Sequence, residues 1–349
     1  MSLKIAVVSE SLFADDPRAA FLEGTLTARG DEVRSWRVPH GGAAIAQWAT
    51  LGTAFQGVFA MRQRGELDLL CVSGGSRTMG LLGLLARPSG LEVVIDLALQ
   101  GRSGHPADVA MALGATRMVA RDLETYNALL EAGVPAYQAG ITLDPPTSGP
   151  IEPRAKEPQT KGKVPVRITA CDAGAVDVAI AEAVAAQALE PRVVIDLRVP
   201  EESLPFATTR AKDSGIVPKA IADDLPQDAL VAWVIESSPS FSRRALQAAG
   251  EAMGLGVALL VSSPDQPREG AEHVDPANAA ARIVALGKHK EERAELAARG
   301  RAWDEAYGYK AQSRLWLRAV DAACADKVAQ LKKAKQAAVE GVKTGTRKT

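Results

Sequence analysis

Leu67-Asp68-Leu69-Leu70-Cys71-Val72 runs straight into Ser73-Gly74-Gly75-Ser76-Arg77-Thr78, and this junction decides the fold. Six residues rich in Leu and Val are too few for a helix and suit a buried strand. The glycines then allow a tight turn, and Thr78–Ala86 takes up helical spacing. A strand that passes through a glycine turn into a helix is half of a βαβ unit, from which parallel sheets are built. The alternation continues outward on both sides. Upstream, Leu3–Val8 and Glu32–Val38 read as strands and Ala43–Arg62 as a long helix. Pro17–Arg29 reads as a helix with Phe21, Leu22 and Leu26 on one face, and Gly30 stands at its C-terminal cap. Downstream, Leu91–Leu97, Thr116–Ala120 and Tyr137–Ile141 read as strands, with helices at Pro106–Leu113 and Leu123–Ala132.

From Asp144 to Val164 the composition shifts to Pro, Gly, Lys, Glu and Thr, which cannot bury enough surface to fold alone. Beyond this stretch the alternation resumes. Val166–Ala170, Arg192–Leu197, Ala229–Ile235 and Val257–Val261 read as strands. Val176–Ala188, Arg243–Met253, Asn278–Leu286, Glu291–Ala298 and Trp303–Ala323 read as helices. A chain of 349 residues has room for two domains. The division expected is an N-terminal domain over 1–145, a linker over 146–164, a C-terminal domain over 165–325 and a basic tail over 326–349. Trp303, Tyr307, Tyr309 and Trp316 lie near helical spacing and are expected to pack the last helices, while Lys332-Lys333-Ala334-Lys335 reads as a solvated run.

Lys plus Arg number 41 against 42 for Asp plus Glu, which excludes a chain-wide field for nucleic acid or an anionic membrane. No run approaches the 18 apolar residues of a membrane span, and the first residues lack the apolar core of a secretion signal. Cys71, Cys171 and Cys324 are too few and scattered for a disulfide framework. His40, His105, His273 and His289 stand in no ligand spacing, so neither a metal nor another cofactor is expected. The expectation is a soluble, cytoplasmic protein.

Thr27-Ala28-Arg29-Gly30-Asp31-Glu32-Val33, Met118 to Glu124 running on to Ala132-Gly133-Val134-Pro135, Glu251-Ala252-Met253-Gly254-Leu255-Gly256-Val257, and Arg299-Gly300-Arg301-Ala302-Trp303 with Tyr307-Gly308-Tyr309 form an ordered series. In order and spacing it resembles the GT-B glycosyltransferases, in particular retaining family 4 with its sucrose, glycogen and cell-wall mannose transferases. The resemblance implies an α/β protein of two Rossmann-like, doubly wound parallel-sheet domains facing a cleft. The acceptor would lie on the N-terminal side and a nucleotide-sugar on the C-terminal side, with transfer independent of metal.

The donor motifs of that family are degenerate here. Of its two acids eight residues apart, Glu251 matches the second, while Arg243 stands in place of the first. The cations that neutralise the donor diphosphate after the first C-terminal strand are replaced by Ala170-Cys171-Asp172-Ala173-Gly174. An acid beside a diphosphate repels it by about 1 kcal/mol or more in a partly solvated site. Arg243 and Arg244, after a polar turn, are candidates to take over that charge. Glu251 is the candidate acceptor of hydroxyl hydrogen bonds. On the acceptor side, Ser73, Gly74, Gly75, Ser76 and Arg77 could cradle an anion with backbone amides, or simply form a tight turn. The expected function is glycosyl transfer from a nucleotide-sugar to an unidentified acceptor. The alternative is a non-catalytic member of the same fold that binds a ligand or a protein partner.

Overall fold

The computed structural model describes residues 2–11, 17–39, 44–74, 83, 85–97, 113–121, 123–143, 147, 149–222, 224–238, 242–263, 269–325 and 327–329. The helices expected at Thr78–Ala86 and Pro106–Leu113 fall largely outside these residues, as do His40, His105 and the Lys332–Lys335 run. The chain divides into two compact units, Met1–Asp144 with Gln312–Thr349, and Pro145–Ala311.

In the first unit the elements run β1 (Lys4–Ser11), α1 (Pro17–Arg29), β2 (Glu32–Pro39), α2 (Ala44–Gln63), β3 (Leu69–Gly74), β4 (Glu92–Leu97), β5 (Arg117–Ala120), α3 (Leu123–Glu131) and β6 (Ala139–Ile141). All six strands are parallel, in the order β2-β1-β3-β4-β5-β6. Alternate residues face opposite sides of a strand. Ala6, Val8, Leu70, Val72, Val93 and Ile95 share one core with Leu51, Ala54, Val58 and Met61 of α2. Gly30 sits at φ +91°, where a Cβ would be strained, and so ends α1 as the sequence predicts.

The second unit holds β7 (Val164–Ala170), α4 (Ala173–Leu189), β8 (Val193–Val199), α5 (Leu204–Arg210), β9 (Lys219–Ala220), β10 (Val231–Ile235), α6 (Arg243–Leu255), β11 (Ala258–Ser262), β12 (Glu272–His273), α7 (Ala279–Lys288) and α8 (Lys290–Tyr307). Its strands are also parallel, ordered β12-β11-β10-β7-β8-β9. Val166, Ile168, Trp233 and Leu260 pack with Val176, Ala179 and Ala183 of α4 and Ile283 of α7. On the other face, Ala232, Val234, Leu259 and Val261 pack with Ala245, Ala249, Ala252 and Met253 of α6. Both sheets are thus α/β and doubly wound, and each reverses its strand order once, between β1 and β3 and between β7 and β10.

Three expectations need adjustment. The helices expected at Glu291–Ala298 and Trp303–Ala323 are instead α8 and α9 (Tyr309–Ala323), and the break falls at Gly308. A Cβ there would collide with Asp304, whose carbonyl accepts the Gly308 amide. The chain also leaves the second unit at Gln312, before the expected boundary at 325. Buried Gln312 accepts the Leu143 N–H at 2.9 Å, Ser313 meets Thr25 at 3.0 Å, Asp321 pairs with Arg29 at 2.5 Å, and Trp316 and Val320 are fully buried. Finally, part of the expected linker is fixed to the second unit. Ile151 packs against its core, Arg154 donates to the carbonyls of Ala229 and Gly256 at 2.6 and 3.1 Å, and Arg293 grips Glu157 at 2.6 Å. A segment without a core of its own is held there by arginine bonds to backbone ends. Among the described residues, no helix is long and apolar enough to cross a membrane.

Candidate functional site

In an open parallel sheet, ligands bind beyond the carboxyl ends of the strands where the strand order reverses. In the second sheet that point lies between β7 and β10, and Asp172 occupies it. Its Oδ1 accepts the Ala175 amide at 2.8 Å, capping α4, and the Ser237 hydroxyl at 2.7 Å. Its Oδ2 accepts the amides of Ser237 at 2.7 Å and Ser238 at 3.3 Å. Burial pushes the carboxyl up, but the Ser237, Ala175 and Ser238 bonds hold it below its ordinary range. The acid that replaces the resembled family's cations is therefore the anion that this loop binds. Gly174 is required beside it, because a Cβ would collide with the Ser237 hydroxyl.

A second feature lies on the sheet face that α6 covers only in part. Strands of a doubly covered parallel sheet are apolar throughout. Here β7 and β8 alternate, and beyond the edge of α6 they present Arg167, Thr169, Asp196 and Arg198. An open recess of about 520 Å³, mouth included, is walled by Arg167, Thr169 and Arg198 on the sheet side and by Arg244, Gln247 and Glu251 on the α6 side. Arg167 and Arg198 converge on Asp224, to which their Nη2 atoms lie at 3.1 and 2.6 Å. Both also bind Asp196, at 2.8 and 3.1 Å. Burial raises the Asp196 carboxyl, and the charges of Arg167, Arg198 and Lys219 bring it below its ordinary range. The recess thus joins guanidinium donors on one wall to a carboxylate on the other. Glu251 can accept bonds from hydroxyls, and the guanidiniums can hold an anion where it displaces Asp224 from them.

Of the residues singled out by sequence, Glu251 and Arg244 meet in this recess. Glu251 lies within the helix that the sequence predicts there. It is a half-buried residue within α6 and accepts a bond from Gln247 at 3.0 Å. Arg244 is exposed and pairs with Glu202 at 2.9 Å. Arg243 opens α6, just after the capping residue Ser242, and lies outside the recess lining. Gly75, Ser76 and Arg77 lie outside the described residues, and Gly74 ends β3.

Ser73 belongs to a different cluster, one that sequence reasoning missed. It is fully buried, donates to Asp96 Oδ2 at 3.0 Å and accepts from Arg121 at 2.7 Å. Arg18 grips the same Asp96. A signal was available in each case. Asp96 is an acid inside an apolar strand, and Arg167, Asp196 and Arg198 give β7 and β8 the period-2 pattern of a half-covered sheet. Among the described residues, no group of His, Cys, Asp or Glu is placed to hold a metal ion.

No protein-family pattern matches the chain, and no curated protein matches its sequence. Solved structures do resemble it. HepE of Anabaena, in complex with UDP, is 11% identical with a TM-score of 0.56, covering 91% of this chain and 100% of its own. The UDP-GlcNAc 2-epimerase of Neisseria meningitidis, bound to UDP-GlcNAc, is 11% identical with a TM-score of 0.55, covering 91% of this chain and 99% of its own. The lipopolysaccharide outer core galactosyltransferase WaaB is 10% identical with a TM-score of 0.51, covering 91% and 99%. At such identities the likeness concerns the fold, and the fold is GT-B: two Rossmann-like units in one chain.

Proposed function

We propose that the protein binds a nucleotide-sugar on its second unit and handles the glycosyl group as a metal-independent transferase. The observation that carries this reading is the meeting of Glu251 and Arg244 in one recess, opposite Arg167 and Arg198. Glu251 would accept bonds from vicinal hydroxyls of the ribose or sugar. Arg167 and Arg198 would exchange Asp224 for the leaving diphosphate and take up the charge developing on it. That HepE is seen with UDP and the Neisseria epimerase with UDP-GlcNAc supports testing uridine nucleotides first. The test is calorimetric titration of the full chain with UDP, UDP-glucose and UDP-GlcNAc. Binding by the wild type, weakened about tenfold in Glu251→Gln through loss of roughly 1.4 kcal/mol, is expected. No heat with any of the three ligands overturns the reading.

The Asp172 bonds favour a second reading, in which the ligand is bound without turnover. The amides of Ala175, Ser237 and Ser238 are already satisfied by that carboxylate, so they offer a diphosphate little at the strand ends. Binding without hydrolysis or transfer of the bound nucleotide-sugar would select this reading over catalysis.

A further inference from the structure

We infer that Asp224 is a built-in competitor for the recess of the second unit, an acid that sets how tightly the site binds by holding the place of the ligand's phosphoryl group. This rests on the nucleotide-sugar reading and adds to it an internal brake on affinity.

Arg167 and Arg198 come from adjacent parallel strands, in which Arg167 stands opposite Asp196 and Thr169 opposite Arg198. Asp196 holds both guanidiniums from behind, at 2.8 and 3.1 Å, and Arg198 also donates to the Ala220 carbonyl at 3.2 Å. The two side chains are 15% and 12% exposed, so their forks are set before any ligand arrives. Beyond Asp196, the Nη2 atoms of both arginines converge on a single oxygen, Oδ2 of Asp224, at 3.1 and 2.6 Å.

Asp224 is a different kind of partner from Asp196. It stands on the connection between β9 and β10, and its side chain is 48% exposed. An ion pair open to water contributes little, because solvent screens it and hydrates the freed carboxylate. The backbone around it is held by other means. The Ile221 amide donates to the Val199 carbonyl at 2.8 Å, Leu225 packs against the core, and the Asp224 carbonyl accepts from Arg167 Nη1 at 2.6 Å. Rotation of one side chain about its Cα–Cβ bond therefore uncovers both Nη2 donors without moving the chain.

The exchange favours one class of ligand. A monocarboxylate would replace one carboxylate by another and gain nothing. A phosphoryl group brings more charge and more oxygens and can meet both guanidiniums at once, so it gains over Asp224. The apparent affinity is then the intrinsic one multiplied by the fraction of molecules in which Asp224 has swung out.

Calorimetric titration of the full chain with UDP tests this in the wild type, Asp224→Asn, Asp224→Glu and Asp228→Asn. Asp224→Asn keeps the size and loses the charge, and should bind UDP at least about fivefold more tightly. Asp224→Glu restores the competitor and should stay within about twofold of the wild type. Asp228 is exposed and lies outside the recess lining, so Asp228→Asn removes a charge but not the competitor and should leave the affinity unchanged. If Asp224→Asn does not fold, Asp224→Ser decides. Binding by the wild type with no tightening in Asp224→Asn overturns the inference and leaves the reading of the site standing. Equal tightening in Asp228→Asn also overturns it, because charge alone then accounts for the gain. No heat from any of these chains removes the reading and the inference together.

Discussion

Arg18 closes on Asp96 with a two-pronged grip, both side chains 2% exposed or less, where the helix after β1 meets the end of β4. Removing Arg18 takes two bonds from a carboxylate that water cannot reach and leaves it to Arg121 and Ser73 alone. Arg18→Ala is expected to lower the stability of the first unit by about 3–5 kcal/mol. Urea unfolding measures this, and a loss of less than about 1 kcal/mol would mean that the pair contributes little.

The same pair sets an acid limit. Burial pushes the Asp96 carboxyl up, but the charges of Arg121 and Arg18 and the Arg18 and Ser73 bonds outweigh it and hold the pKa at about 2. A depressed carboxylate stabilises above its unfolded pKa near 3.8, and that contribution fades as pH falls toward about 2. Stability should drop by roughly 2 kcal/mol across this window. In Asp96→Asn the drop should shrink, which unfolding curves at stepped pH would reveal; an equal slope in both chains would contradict the assignment.

Gly174 and Ser237 should be coupled. Gly174→Ala forces the Ser237 hydroxyl away from Asp172, and a cost of about 1–2 kcal/mol is expected. In a Ser237→Ala background the hydroxyl is already gone, so the added cost should fall by at least half. A double-mutant cycle reads the difference, and strict additivity would show that the close approach is relieved in another way.

The last helix should behave as core of the first unit. Trp316 is fully buried, and Trp316→Ala is expected to cost about 3–5 kcal/mol. Limited proteolysis should show cleavage within 1–144 accelerating well before cleavage within 151–311. Equal protection of both segments would argue against the assignment of α9 to the first unit.

Much of the fold was legible because the βα alternation is a local signal. Pro17–Arg29 was read to the residue, and the other expected strands and helices within the described residues lay close to their places, apart from the last two helices, whose break falls at Gly308. The two-residue strands Lys219–Ala220 and Glu272–His273 and the two-turn helix α5 escaped, since such short elements carry too little period. The return of the chain at Gln312 was also illegible, because α9 shows an apolar stripe without stating which core receives it. Of the residues lining the recess, Glu251 and Arg244 were singled out only through the resemblance to the family 4 donor motif. Arg167, Arg198 and Asp224 were not, since their meeting depends on strand pairing and on a loop far away in sequence. Asp172 was noticed as an unwelcome acid, but only the fold shows that the amides of Ser237 and Ser238 neutralise it.

The crossing of the chain back to its first unit at Gln312 also bears on biosynthesis. A ribosome finishes all six strands of the first sheet long before it makes Trp316, whereas everything from Pro145 to Ala311 emerges as one uninterrupted piece. The usual order, in which the amino-terminal part matures first during translation, is therefore inverted for the final step. The nascent amino-terminal half must wait, with the seat of Trp316 unfilled, until the whole of the second unit has been made.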